Sequence, residues 1–145
     1  MRKIKTNNSQ ETQELAQRIA KTLKGGEVIC LEGDLGGGKT TFTQGLLKEL
    51  GAEGPYTSPT FVVMKKYDLE DGQVSCVYHI DAYRVDANGV LDLGWEEIAG
   101  NKKNIVIVEW PERLSGILPE DSFWVTFSWI DENEREVLID ERFEV

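Results

Sequence analysis

The sequence predicts an α/β chain: a mixed sheet with a parallel centre, helices on its flanks and a C-terminal antiparallel hairpin. Three observations carry this. First, the apolar run Val28-Ile29-Cys30-Leu31 leads through a glycine-rich turn into a helical pattern that begins at Lys39. Second, Ile105-Val106-Ile107-Val108 is apolar without alternation, as a strand buried on both faces requires. Third, the segments Phe123 to Ile130 and Glu136 to Phe143 read as two strands joined by a short polar turn.

Taken in order, Asn8 with Glu11 three residues on resembles a capping box. Leu15, Ala16, Ile19, Ala20 and Leu23 then recur at helical spacing until Gly25-Gly26 closes the helix. Residues 27–32 form the next strand. The helix from Lys39 turns Phe42, Leu46, Leu47 and Leu50 inward and stops at Gly51. Gly54-Pro55 and Pro59 make the following stretch a loop, Tyr56-Thr57-Ser58-Pro59-Thr60. Strands over Phe61 to Asp68 and Gln73 to Asp81 pair across Glu70-Asp71-Gly72. One short helix carrying Leu91, Leu93 and Ile98 ends at Gly100, and Pro111 terminates the strand that follows.

The 145 residues suit a single domain spanning 1–145, with 40% hydrophobic and 29% charged residues. No apolar run approaches the ~20 residues of a membrane helix, and the basic N-terminus lacks the apolar core of a secretory signal. Cys30 and Cys76 fall in predicted strands among apolar neighbours and read as buried free thiols, which fits a reducing cytoplasm. A net charge of −10 argues against direct nucleic-acid binding, which needs a basic surface to displace counterions. About half of the imbalance lies in residues 131–145, where seven acids face two arginines; these read as a solvated strand face.

Gly33-Asp34-Leu35-Gly36-Gly37-Gly38-Lys39-Thr40 satisfies G-x-x-x-x-G-K-[ST] in the required context, after a strand and before a helix. Backbone amides curl around phosphate oxygens only where no Cβ blocks the approach. Those amides and the positive end of the following helix make an anion site. Lys39 is placed to reach β- and γ-phosphates and the Thr40 hydroxyl to coordinate Mg²⁺. The fold expected is therefore that of a P-loop NTPase.

Catalysis on such a loop needs acids at the ends of neighbouring strands. Glu109 follows the buried run 105–108, and Asp81 ends the strand Val77-Tyr78-His79-Ile80. His79, Asp81 and Tyr83 share one side of an extended chain. His79, the one histidine of the sequence, reads as a hydrogen-bonded structural residue. The loop Thr57-Ser58-Pro59-Thr60-Phe61 lies where many nucleotidases sense the γ-phosphate, with Thr60 as its candidate.

Gly33-Asp-Leu-Gly-Gly-Gly-Lys-Thr-Thr41, Ser58-Pro-Thr-Phe61, His79-Ile-Asp-Ala-Tyr-Arg84 and Val108-Glu-Trp-Pro111 stand in the order and spacing of the TsaE family. The resemblance covers nearly the whole chain. Two positions depart from the usual pattern: Gly37 in place of a small residue such as alanine, and Ala82 where leucine is common. Neither bears a reacting group. The resemblance implies an ATPase subunit of bacterial tRNA threonylcarbamoyladenosine (t6A37) biosynthesis, with slow Mg²⁺-dependent ATP hydrolysis supporting turnover by TsaB and TsaD. tRNA would then be met indirectly, through the complex.

By the same resemblance Lys39 and Thr40 take the phosphate and metal roles and Thr41 binds phosphate nearby. Glu109 becomes a metal-associated or water-positioning acid with Asp81 as its companion, and Thr60 a γ-phosphate sensor. Trp110 shapes the nucleotide pocket or a partner surface, and the N-terminal helix start, including Thr12, borders the adenine.

A small phosphotransferase is the first alternative, but Arg84, Arg113 and Arg135 are scattered and make no arginine-rich lid. A GTPase is the second. Asp86-Ala-Asn-Gly89 matches D-x-x-G, and Asn101-Lys-Lys-Asn104 imitates N-K-x-D, but the latter lacks the guanine-binding aspartate and precedes its strand. A third reading keeps the nucleotide as a switch for assembly, without essential hydrolysis.

Overall fold

The computed structural model describes residues 1–34, 36, 38–56, 63–70 and 72–145. Its elements run β1 (Arg2–Thr6), α1 (Ser9–Ala20), β2 (Val28–Gly33), α2 (Lys39–Leu50), β3 (Met64–Asp68) and β4 (Cys76–Asp81). Then follow α3 (Ala87–Leu91), α4 (Trp95–Ile98), β5 (Asn104–Glu109), a 3-10 turn at Pro111–Leu114, β6 (Phe123–Trp129) and β7 (Arg135–Ile139). The strands form one seven-stranded sheet in the order β1-β7-β6-β2-β5-β4-β3. Pairs β6–β2, β2–β5 and β5–β4 are parallel, while β1–β7, β7–β6 and β4–β3 are antiparallel. This is the mixed α/β sheet with a parallel centre and a closing hairpin that the patterning predicts.

Side-chain parity divides the core into two layers, because successive residues of a strand face opposite sides. Ile29 and Leu31 of β2, with Ile105 and Ile107 of β5, pack under α1 and α2 with Leu15, Ile19, Phe42, Leu46 and Leu47. Val28 and Cys30, with Val106 and Val108, face the other way onto Val90 of α3, Trp95 and Ile98 of α4, and Leu114. The apolar run of β5 lacks alternation because both of its faces are covered.

Strand β1 is absent from the sequence-based expectation. Arg2-Lys3-Ile4-Lys5-Thr6 offers one aliphatic residue and no period-two pattern. It is held instead by a partner strand, pairing with β7 from Arg2↔Ile139 to Thr6↔Arg135. Its lysines meet acids of the tail, Lys3 with Glu136 at 3.7 Å and Lys5 with Glu134 at 3.1 Å. These exposed pairs contribute little stability each, but they match part of the tail's charge.

Other differences are local. The helix expected over Leu91, Leu93 and Ile98 is two helices, because Gly94 takes a left-handed conformation (φ 89) between them. Asn8 caps α1, its Oδ1 accepting from Glu11 N at 2.8 Å, but the Glu11 carboxylate returns to Asn7 N. Strands β4 and β7 are shorter than expected, while the expected start of β3 at Phe61 and the turn residue Asp71 lie outside the described residues. Cys30 is buried as expected, whereas Cys76 is half-exposed and its thiol lies 3.5 Å from Asp68 Oδ1. The GTPase-like matches have structural uses. Asp86 Oδ1 caps α3 by accepting from Gly89 N at 2.9 Å, and Asn104 donates its amide to Ile98 O at 3.2 Å.

Candidate functional site

Strands β2, β4 and β5 run parallel, so their C-terminal ends share one edge of the sheet, the position where open α/β sheets bind ligands. Asp81 is opposite Glu109 across the β4–β5 register, and Glu109 is opposite Leu31 on β2, two residues before Gly33. By parity both acids lie on the α1/α2 side of the sheet. A cavity of about 410 Å³ opens there, a volume ordinary for a small-molecule site. Gly36, Gly38, Lys39, Thr40, Thr41, Asp81 and Glu109 line it, facing Asn8, Ser9 and Thr12 at the start of α1 and Glu132, Asn133 and Arg135 of the β6–β7 hairpin.

The loop leaves β2 at Gly33 with φ 142, and an added Cβ there would sit 2.6 Å from Phe127 O. Only glycine allows the chain to turn this closely beneath β6. The Gly33 carbonyl is also the anchor for Lys39, whose Nζ donates to it at 2.6 Å. The Lys39 ammonium, almost fully buried, lies 4.2 Å from the centroid of the Trp110 ring. A desolvated cation over a tryptophan face is held electrostatically by the ring quadrupole. Trp110 therefore reaches the site through Lys39 and is not among the residues lining the cavity. Gly33 and Asp34 also stay out of that wall.

Trp110 follows Glu109 with φ 60 and ψ 50, a left-handed conformation that costs a non-glycine residue about 1–2 kcal/mol. The turn lays its ring between Lys39 and Tyr83, with ring centroids of Trp110 and Tyr83 4.9 Å apart. Arg113 lies over the Tyr83 ring at 5.5 Å.

Glu109 is buried, and its Oε2 accepts from His79 Nε2 at 2.8 Å. Its other carboxylate oxygen has no hydrogen-bond partner among the described residues, and Glu109 lines the cavity. His79 is thus hydrogen-bonded, as the sequence suggests, and its partner is the candidate catalytic acid. Its Nδ1 is buried without a hydrogen-bond partner among the described residues. Asp81 Oδ1 accepts from Tyr83 N at 3.0 Å, which fixes the side chain while Oδ2 remains for other contacts. Thr12 is buried with its hydroxyl 2.8 Å from that of Thr6, so it borders the cavity with its polar group engaged by β1. Leu35, Gly37 and Thr60, like the whole loop from Thr57 to Phe61, lie outside the described residues.

Sequence reasoning pointed to the start of α1 through Thr12 without naming Asn8 or Ser9, and it missed Glu132, Asn133 and Arg135 as cavity residues. The last three come from a hairpin tip that no phosphate-loop motif includes. The one trace in the sequence is Arg135 itself, an arginine isolated within a run of acids.

The oxygen donors suit a hard cation. Thr40, Asp81 and Glu109 supply hydroxyl and carboxylate oxygens to one cavity. Among the described residues no cluster of three or more His, Cys, Asp or Glu makes a metal cage. Mg²⁺ characteristically takes one or two carboxylates and completes its shell with phosphates and water, so Thr40, Asp81 and Glu109 could hold it.

The chain matches over residues 6–137 the family described as threonylcarbamoyl adenosine biosynthesis protein TsaE. It is 38% identical to the tRNA threonylcarbamoyladenosine biosynthesis protein TsaE of Bacillus subtilis, an alignment covering 93% of this chain and 82% of that one. The Aquifex aeolicus protein of the same name is also 38% identical, with 96% of each chain covered. The crystal structure of Bacillus subtilis YdiB superposes with a TM-score of 0.79 at 33% identity, covering 99% of this chain and 88% of that one. The motif order, the sheet and these relatives agree: the chain belongs to the TsaE family.

Proposed function

We propose that the chain, acting as one domain over residues 1–145, is a Mg²⁺-dependent ATPase that supports t6A37 modification of tRNA by TsaB and TsaD in the cytoplasm. The observation that carries this reading is the meeting of Lys39, Thr40, Asp81 and Glu109 in one cavity at the C-terminal edge of the parallel strands. The names of its relatives support the pathway. No helix among the described residues is long and apolar enough to cross a membrane.

In this reading the amides of the phosphate loop and the start of α2 receive the phosphates, joined by Lys39 once its ammonium leaves Gly33 O. Thr41 adds a phosphate contact from the same turn, and Thr12 borders the nucleoside. Thr40, Asp81 and Glu109 would hold Mg²⁺ directly or through its water ligands. When bound, that ion would supply positive charge against the charge that develops on the phosphates. Glu109, oriented by His79, positions the attacking water with its remaining oxygen. Thr60 senses the γ-phosphate.

The test is ATP hydrolysis by the chain alone and with TsaB–TsaD, with GTP run alongside. Stimulation by the partners, selective for ATP and lost in Glu109→Gln, is the expected result. Equal use of GTP, or no response to the partners, would overturn the assignment. Full tRNA modification with Glu109→Gln would reduce the nucleotide to a regulator of assembly. Lys39→Met is expected to weaken ATP binding by roughly a hundredfold or more, because it removes charge-assisted bonds to phosphate.

A further inference from the structure

Arg135 is the first residue of β7, just beyond the turn that joins it to β6. Its guanidinium is fixed before any ligand arrives. Nε donates to Gly36 O of the phosphate loop at 3.1 Å, and Nη1 donates to Asp131 O at 2.6 Å and Glu134 O at 2.9 Å. The face of the group lies 6.0 Å from the Trp129 ring centroid. Its Cγ is 3.8 Å from the place a Cβ on Gly38 would take, so the side chain runs beside the loop at two points. The Nη2 group takes no hydrogen bond among the described residues, and Arg135 lines the cavity. The hairpin turn that carries it is itself braced, since Asp131 Oδ1 accepts from both Asn133 N and Glu134 N.

Charge in the cavity makes this placement matter. Asp81, Glu109 and Glu132 line it with carboxylates, and Lys39 and Arg135 are the two cationic side chains on its wall among the described residues. A polyphosphate entering three carboxylates and a single lysine would meet strong repulsion. A fixed guanidinium with a free donor edge offsets it and suits a phosphate oxygen in geometry.

We propose that Arg135 is the second cationic ligand of the nucleotide site, its Nη2 donating to an oxygen of the bound polyphosphate chain. The closing hairpin thereby becomes part of the site. This inference rests on the nucleotide-binding half of the function proposed above and is independent of hydrolysis.

Binding of ATP and of inorganic tripolyphosphate is measured by calorimetry on the wild-type chain, Arg135→Gln and Arg135→Ala, at low and high salt. Thermal unfolding of each free protein is recorded as a check on folding. Arg135→Gln serves if Arg135→Ala does not fold. Both ligands should lose roughly ten- to hundredfold in affinity on substitution, since one charge-assisted bond is removed. Wild-type affinity should also fall more steeply with salt than that of Arg135→Gln, because a direct charge contact is screened whereas the tether to Gly36 O is not. Affinities within about twofold of wild type would overturn the proposal. So would loss of ATP binding with tripolyphosphate unaffected, which would make Arg135 a nucleoside contact. Equal salt dependence would assign it only to bracing the loop. If the wild-type chain bound neither ligand, the nucleotide reading itself would fail.

Discussion

Removing His79 should expose how the candidate catalytic acid is held. The His79–Glu109 pair is 2.8 Å long, with side-chain exposures of 2% and 7%. In His79→Leu the Glu109 carboxylate loses the one side-chain partner it has among the described residues. Orphaning one member of a fully buried ion pair costs about 3–5 kcal/mol, whereas losing a hydrogen bond to a charged group costs about 1.5–3 kcal/mol. Glu109 borders a cavity that admits water, so the lower range applies. At about 2.1 cal/mol/K per residue, unfolding entropy for a chain of this size is about 0.3 kcal/mol/K, so the melting temperature should drop by roughly 5–10 °C. Scanning calorimetry reads this directly. His79→Gln, whose amide can still donate, should recover much of the loss. The double variant His79→Leu with Glu109→Leu should be more stable than either single one, because two apolar side chains leave no stranded carboxylate. A His79→Leu melting point within about 2 °C of wild type, or a double variant less stable than both single ones, would refute the reasoning.

Two further predictions follow from the geometry. Gly33→Ala should cost roughly 1–3 kcal/mol in urea unfolding, because it places a methyl group 2.6 Å from Phe127 O at φ 142; an unchanged midpoint would contradict the tight turn. Burial pushes the Cys30 thiol from 9.0 up to about 12. The folded chain therefore keeps a proton that the unfolded chain releases, so this contribution is complete below pH 9 and is lost as pH rises from 9 toward 12. Stability should fall with pH across that window more steeply in wild type than in Cys30→Ala, and iodoacetamide should label half-exposed Cys76 in the folded chain while sparing Cys30 until unfolding.

What could be read from the sequence was what local chemistry dictates. A glycine-lysine-threonine turn needs no distant residue to declare an anion site, and Ile105 to Val108 declare a doubly covered strand by composition alone. Glu109 and Asp81 were legible because each ends an apolar run. Strand β1 was not legible. Its five residues are mostly charged, and their strand conformation comes from ladder bonds to β7, more than a hundred residues away.

The site divides along the same line. Sequence by itself determined the glycine-rich turn between β2 and α2 and the acids at the ends of β4 and β5, since these depend on neighbours along the chain. Tertiary structure alone decided that His79 holds Glu109, that Trp110 lies under Lys39, and that Arg135 reaches Gly36 from the far end of the chain. Those contacts arise from strand order and register, and pairing between distant segments is a property of the closed sheet that no local pattern contains.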